Sequence, residues 1–420
     1  MDKIYGCIDL KSFFASVECV ERGLDPFKTD LAVTDASRGR GAITLAITPA
    51  MKEKGVKNRC RVFEIPENIK YISALPRMKL YMKYSADIYG VYLKYVSAED
   101  IHVYSIDEVF IDFTPYLKTY KMTPKQFALR LMEDVFRTTG ICATTGVGTN
   151  LFLAKVALDI TAKHVPDHIG ILNEDIFRRT IWFHEPITDI WNIGRGTAER
   201  LKKYRIKNLY QVAKCDPDIL YREFGVKAEY LIDHANGYEP CTIADIKSYT
   251  AQSNSISNGQ ILFEDYSYSD AMLVMKEMVD LLVLELIEKG MVTDSIALSV
   301  GYSKDNEKST GGTRRLDGYT SSYDKISAAF TELYTLTTHK NGLIRRINIG
   351  LEHITDEQLV TYQLDLFSDT AADEKERKKQ AAVLAIRQKY GKNAILRGMS
   401  YQPKATAIAR NKLVGGHNSE

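Results

Sequence analysis

The chain has no Cys-x-x-Cys pair, no low-complexity tract, no repeat of fixed period and almost no net charge. Each absence removes a class of protein. The six cysteines, Cys7, Cys19, Cys60, Cys142, Cys215 and Cys241, stand singly, so neither a disulfide framework nor a zinc site is indicated. They read as reduced, mostly buried small hydrophobes. No apolar run reaches the roughly 18 residues that a membrane-spanning helix needs. The opening Met1–Tyr5 reads as the approach to a strand rather than a signal peptide, and an intracellular, cytoplasmic protein without membrane contact is expected. A net charge of +2 is far below that of a dedicated DNA-binding domain. Positive charge is instead local: from Lys375 to Lys412 eleven Lys or Arg face one acid, Glu376. That tail reads equally as a solvated charged helix with a loose end or as a phosphate-contacting element.

What is present is a soluble globular composition, 45% hydrophobic and 26% charged, over 420 residues. Roughly two to four domains are expected from that length. Three carboxylates stand out in two hydrophobic strands: Asp9 in Ile4–Leu10, and the adjacent Asp107 and Glu108 in Tyr104–Phe113. Side chains alternate faces along a strand, so neighbouring acids can serve one site only from a turn. Val103, Ser105 and Val109, Ile111, Phe113 read as two short strands around such a turn. Acids so placed suit a pair of Mg²⁺ ions for phosphoryl transfer. The alternative is an ordinary solvated pair at a hairpin tip.

Along the chain, residues 1–22 read as a strand and a helix, Ser12–Glu21. A short helix, Pro49–Lys54, is closed by Gly55. Residues 23–76 look like a small inserted subdomain. A tyrosine-rich helix is expected over Met78–Tyr95 and an amphipathic one over 124–139, with Phe127, Leu131, Val135 and Phe136 at helical spacing. Ala143–Gly148 reads as a strand and Leu151–Ala162 as a helix. This βαββαβ order is that of a ferredoxin-like sheet with helices on one face, which sets Asp9 and Asp107 on neighbouring strands.

Further on, Ile190–Leu201 carries a hydrophobic-Gly-x-Gly turn opening a helix. It is a helix-hairpin-helix pattern, whose backbone N–H groups bind phosphate without reading sequence, or a plain tight turn. Residues 236–246 read as a linker. Residues 247–352 form another α+β unit with helices Tyr268–Lys289 and Ser322–Thr337 and strands Ile296–Tyr302 and Ile344–Leu351. Gln363–Phe367, Gln-Leu-Asp-Leu-Phe, is an apolar plug that docks either on its own domain or in a partner's pocket.

Together Ile8–Glu18, Tyr104–Phe110, Gly146–Lys155 and the turn at 190–201 resemble the Y-family (UmuC/DinB-type) translesion DNA polymerases, over residues 1 to about 352. Arg59–Pro66 and Lys389–Arg397 resemble a UmuC-like branch of Gram-positive bacteria. The resemblance implies an α+β right hand: palm 1–22 and 77–168, fingers 23–76, helical thumb 169–235, linker 236–246, little finger 247–352 and tail 353–420. It implies an SOS-type, error-prone DNA polymerase for damage bypass, acting on primer–template DNA and dNTP. Asp9, Asp107, Glu108 and the backbone carbonyl of Leu10 would hold two Mg²⁺. Phe14 would be the steric gate against a ribose 2′-hydroxyl, with Phe13 beside it. Lys163 would contact the triphosphate as a point charge, while Lys155 reads equally as a solvated helix lysine.

The fingers depart from the family pattern. Where many members carry Tyr and Arg, this chain has Thr48 and Lys52, the residues left to meet the triphosphate. DNA contacts would come from Ile193, Gly194, Gly196 and Thr197 in the thumb and from Arg314, Arg315, Arg345 and Arg346 in the little finger. Gln363, Leu364, Asp365, Leu366 and Phe367 resemble the peptide that binds the bacterial sliding clamp (its beta subunit), which raises effective concentration at the primer end. The enzyme would be a monomer. Two other readings remain: a catalytically idle DNA- and clamp-binding scaffold, and a nucleotidyl cyclase, for which the thumb motif and clamp peptide have no use.

Overall fold

The computed structural model describes residues 3–250, 254–303, 307–360 and 370–420. It divides into two compact units, residues 1–250 joined by His417–Glu420, and residues 251–416.

In the first unit the elements run β1 (Tyr5–Leu10), α1 (Phe13–Val20), β2 (Leu31–Thr34), β3 (Thr44–Ile47), α2 (Pro49–Glu53), β4 (Ile72–Ala74), α3 (Met78–Tyr92), β5 (Ile101–Val103), β6 (Glu108–Asp112), α4 (Thr114–Tyr120), α5 (Pro124–Thr139), β7 (Ala143–Gly148), α6 (Leu151–Val156), β8 (Ile169–Leu172), α7 (Glu174–Thr180), α8 (Arg195–Lys202), α9 (Leu209–Lys214), α10 (Pro217–Phe224), α11 (Lys227–Ala235) and α12 (Ile243–Ser248). The main sheet has the order β5-β6-β1-β7-β8. Its first four strands have the ferredoxin-like arrangement, and β8 is added parallel to β7.

Because β1 is central, both its faces are covered. Ile8 and Leu10 enter the core that α5 completes with Phe127, Leu131 and Val135. Tyr5 and Cys7 face the other way, against Leu151, Ala154 and Leu158. Helices thus cover both faces, not one as expected. The second layer lies very close: a Cβ on Gly146 would sit 2.1 Å from the Ala154 carbonyl oxygen, and one on Gly148 2.2 Å from the Ala154 nitrogen. Only glycine permits that approach. Nor is Leu151–Ala162 one helix. After α6 the chain widens into a π-helix at Ala157–Thr161 and ends in a 3₁₀ turn at Ala162–His164. Gly170 of β8 accommodates the wide turn, since a Cβ there would lie 2.4 Å from the Ala157 carbonyl oxygen.

Helix α5 begins and ends where local chemistry requires. Thr123 and Gln126 form a capping box, Pro124 opens the first turn, and Gly140 closes it at φ +71°. Each large apolar side chain it buries contributes about 1.5–3 kcal/mol. Within residues 23–76 a three-stranded sheet β3-β2-β4 packs on a small core of Ala32, Ile47, Met51, Val56, Cys60 and Ile65. Helices α7 to α11 surround Phe177, Ile190, Ile193, Leu201, Leu209 and Leu220. The stretch expected as a linker is partly structured. Thr242 and Asp245 cap α12 reciprocally, and Ile243 is buried beside Tyr5 and Phe110.

The second unit contains β9 (Ile256–Tyr266), α13 (Tyr268–Glu288), β10 (Met291–Tyr302), β11 (Thr310–Thr320), α14 (Tyr323–Thr337), β12 (Ile344–Glu352), α15 (Thr370–Tyr390) and α16 (Ala407–Arg410). Its sheet order is β11-β10-β12-β9. The basic tail is in part the solvated helix expected, since Lys375, Arg377, Lys378, Lys379 and Lys389 of α15 are exposed, but it does not end loose. Arg387 and Arg397 both bond the nearly buried Asp280 of α13, at 3.0 and 2.5 Å. Glu277, also buried on α13, accepts the backbone N–H of Thr406 at 2.7 Å and of Ala407 at 3.1 Å. The last residues return to the first unit, where the Lys79 N–H in the first turn of α3 donates to the Ser419 carbonyl at 3.0 Å.

Candidate active site

Asp9 and Glu108 are register partners on β1 and β6. Alternation puts them on the face shared with Cys7 and Phe110. Asp107 occupies the turn before β6, where its carbonyl accepts the Leu10 N–H at 2.9 Å and its carboxylate accepts the Ser105 hydroxyl at 2.6 Å. The Tyr104 and Ser105 N–H groups both donate to the Glu108 carbonyl at 3.0 Å, closing the turn. The trio is therefore gathered from two strands and a turn.

The three acids repel one another. Burial, then the charges of Asp107 and Glu108, push the Asp9 carboxyl up to about 7, and Lys163 and Lys155 offset only part of that. Among the described residues no group donates a hydrogen bond to the Asp9 carboxylate. Glu108 is turned toward a cation of the protein itself: its Oε2 lies 2.8 Å from Lys155 Nζ, and its Oε1 accepts the Cys7 thiol at 3.2 Å. Among the described residues no three acid, His or Cys side chains are already converged as a metal would hold them.

Phe14 is partly buried and stacks on Tyr81, with ring centroids 4.5 Å apart and planes at 18°. Phe13 is buried behind it. Ser12, at φ +50°, turns the chain from β1 into α1. Beneath this pair the fully buried Glu18 accepts from Arg77 at 3.0 and 2.7 Å, from the Tyr81 hydroxyl at 2.7 Å, and from Arg22. Burial alone would raise its carboxyl, but these bonds outweigh it and hold the carboxyl below the usual range.

Lys163 is half exposed and bonds Asp159 at 3.1 Å. Lys52 lies close enough to Asp9, Lys163 and Lys11 to feel their charges; burial and the two cations lower its pKa, while Asp9 opposes them. Thr48 is different. It is fully buried, and its hydroxyl accepts the Leu31 N–H at 3.2 Å, so in this structure it ties β2 to the start of α2 and offers nothing to a triphosphate. In the Ile190–Leu201 turn Ile193 is buried, Gly194 caps α8, and nothing stands within 4 Å of a Cβ at Gly194 or Gly196, which leaves the backbone ahead of Thr197 open.

In the second unit the four arginines do not share a face. Arg314 lies opposite the core residue Ile296 and bonds Glu332 of α14 at 2.7 Å, so it belongs to the helix-covered side. Arg315, opposite Ser295, and Arg346, opposite Gly301, lie on the other face. Arg345 bonds Asp265 of β9 at 3.4 Å. Residues 363–367 lie outside the described residues.

Sequence reasoning undervalued Lys155 and passed over Lys11 and Tyr81. Lys155 is nearly buried, with 9% of its side chain exposed. Its signal was present: a lone lysine within Leu151-Phe-Leu-Ala-Lys-Val-Ala-Leu158, followed by Asp159 and Lys163 at steps of four.

A mixed sheet, antiparallel over its first four strands, that carries Asp9 and Glu108 at its centre with Asp107 in the adjoining turn has the form of a polymerase palm. Residues 8–159 match the impB/mucB/samB family and residues 253–366 the C-terminal domain of that family. The chain is 33% identical over 419 residues to a Bacillus subtilis (strain 168) protein named for UV-damage repair, UvrX, covering 98% of this chain and 97% of that one. It is 28% identical to DNA polymerase IV 2 of the same organism, covering 99% of each. A Y-family DNA polymerase chimera of Dbh and Dpo4 shares the fold, with TM-score 0.63 and 20% identity, covering 84% of this chain and 99% of that one. The chain belongs to the Y-family and is a DNA-directed DNA polymerase of the translesion type. Such enzymes act on primer–template DNA and deoxynucleoside triphosphates and need a divalent metal. Among the described residues no helix is long and apolar enough to cross a membrane.

Proposed function

We propose that Asp9, Asp107 and Glu108, with the Leu10 carbonyl, hold two Mg²⁺ ions and that this site adds deoxynucleotides to a primer 3′ end. The observation that carries the reading is geometric: Asp9 and Glu108 are register partners on adjacent strands, and Asp107 stands in the turn beside them with its carbonyl bonded to the Leu10 N–H at 2.9 Å. An excess of hard oxygen donors over protein cations is a donor set that fits Mg²⁺. Bound there, two such ions would supply an activated primer hydroxyl and offset charge at the α-phosphate. The protein's own groups do the rest. Phe14, backed by Tyr81, forms an apolar wall where a sugar would lie and excludes a 2′-hydroxyl. Lys163 and Lys52 supply positive charge for the triphosphate, a role Thr48 does not share. The open backbone at Gly194–Thr197, with Arg315 and Arg346, receives DNA phosphates.

Replacement of Asp107 and Glu108 by Ala tests the mechanism: primer extension should vanish with the fold intact, and unchanged incorporation would sink it. Gln363–Phe367 is proposed to bind the sliding clamp. Its deletion should abolish clamp-stimulated synthesis and spare basal synthesis; equal stimulation would refute it. The enzyme is proposed to work as a cytoplasmic monomer.

A further inference from the structure

We propose that Lys155 and Asp159 are positioning residues: one chain of ion pairs sets the Glu108 carboxylate at its buried end and Lys163 at its exposed end. The inference rests on the polymerase reading above and assigns work to two residues that the reading leaves idle.

The chain is continuous. Glu108 Oε2 lies 2.8 Å from Lys155 Nζ, Lys155 Nζ lies 3.1 Å from Asp159 Oδ2, and Asp159 Oδ1 lies 3.1 Å from Lys163 Nζ. Side-chain exposure rises outward from 9% at Lys155 to 26% at Asp159 and 50% at Lys163. A buried ion pair is weak evidence for stability, because an apolar side chain of similar size often does as well. Its value here is orientation. Lys155 gives Glu108 one fixed direction against the repulsion of Asp9 and Asp107, as partners behind metal ligands do. Asp159 in turn restrains a long, half-exposed lysine that would otherwise sample many rotamers.

The backbone supports the spacing. Lys155 lies in the last turn of α6, Asp159 sits inside the π-helix and Lys163 in the 3₁₀ turn after it. Widened turns of this kind often mark functional positions in helices. The turn is pressed on the sheet over Gly146 of β7 and Gly170 of β8, so the relay is fixed to the sheet, beside the β1 strand that carries Asp9.

Four proteins decide the matter: wild type, Lys155→Met, Lys155→Arg and Asp159→Asn. Two quantities are measured, kcat for single-nucleotide insertion with Mg²⁺, and equilibrium dNTP affinity for the enzyme on a dideoxy-terminated primer–template with Ca²⁺. Lys155→Met should lower kcat by about 10–100-fold, as loss of a partner behind a metal ligand does, with Lys155→Arg recovering most of it. Its dNTP affinity should stay near wild type, because the Asp159–Lys163 pair survives. Asp159→Asn should do the reverse, weakening dNTP affinity about tenfold through a charge-assisted contact with kcat little changed. Equal losses of both quantities in both variants, tracking a fall in thermal midpoint, would mean packing alone and overturn the relay. Wild-type values in Asp159→Asn would overturn it too, even if Lys155→Met fails to fold. Failure of the polymerase reading is separate: wild type itself would show no Mg²⁺-dependent insertion.

Discussion

Both units bury carboxylates, but they settle the charge differently. In the second unit Asp280 meets two guanidinium groups, Arg387 and Arg397, and Glu277 meets two backbone N–H groups. Asp280 is matched with more positive charge than it carries and serves architecture, fastening the tail to α13. In the first unit Asp9, Asp107 and Glu108 crowd together with Lys155 as the one cation in contact with the trio among the described residues, and Asp9 is driven up to about 7. In the proposed active site the same chemistry is left incomplete, a donor set that suits a cation from outside. A deficit of charge compensation, more than the presence of buried acids, distinguishes a catalytic cluster from a structural one.

Substitutions at matching positions break the comparison most sharply. Asp9→Asn should lower insertion by roughly 10³-fold, the scale on which loss of a charge-stabilising group lowers turnover. It should also raise the unfolding free energy by about 1 kcal/mol, because a strained charge is removed. Urea titration and single-turnover insertion check both, and a destabilised Asp9→Asn would mean that its charge is compensated. Asp280→Asn should do the opposite. Stranding two arginines costs about 3–5 kcal/mol, read as a lower urea midpoint, with insertion per folded molecule unchanged.

Glu18 offers a compensated cluster within the first unit. Its folded pKa is depressed, so its stabilisation is complete above the ordinary carboxylate value of about 4.3 and is lost as pH falls through the lower folded value. The melting temperature of Glu18→Gln should lie well below wild type at pH 7, and the gap should narrow toward pH 3. A constant gap would show that the carboxylate charge contributes nothing. The smallest effects belong to exposed cations. Arg315→Ala and Arg346→Ala should each reduce the salt slope of DNA binding by about 1, whereas Arg314→Ala, paired to Glu332 on the helix side, should leave it unchanged.

What could be read in the sequence follows from where the physics is local. Helix α5 was legible from the spacing of Phe127, Leu131, Val135 and Phe136, and the caps at Thr123 and Gly140 bound the same span; β7 was legible as the short strand Ala143–Gly148. Strands β9 and β11 were missed: one face of each is open, and glycines such as Gly259, Gly311 and Gly312 break the alternation. The π-helix was invisible because periodicity does not reveal the press of a helix on a glycine strand. At the site, alternation alone requires Asp107 to lie in a turn if it is to join Glu108, and β6 begins there. The partner of Glu108 was not legible, since a lysine on a helix reads as solvated until its neighbours in space are known. Thr48 and Arg314 show the converse. Residue type suited them to the site, but burial in one case and strand face in the other turned them away.

The most direct test compares single-nucleotide insertion at saturating Mg²⁺ by the double variant Asp107→Ala, Glu108→Ala and by Asp280→Asn, each normalised to its folded fraction. The account predicts a loss of at least about 10³-fold for the first and activity within about twofold of wild type for the second, whose carboxylate belongs to the other unit and fastens the tail through Arg387 and Arg397. Comparable activity in the two would contradict it.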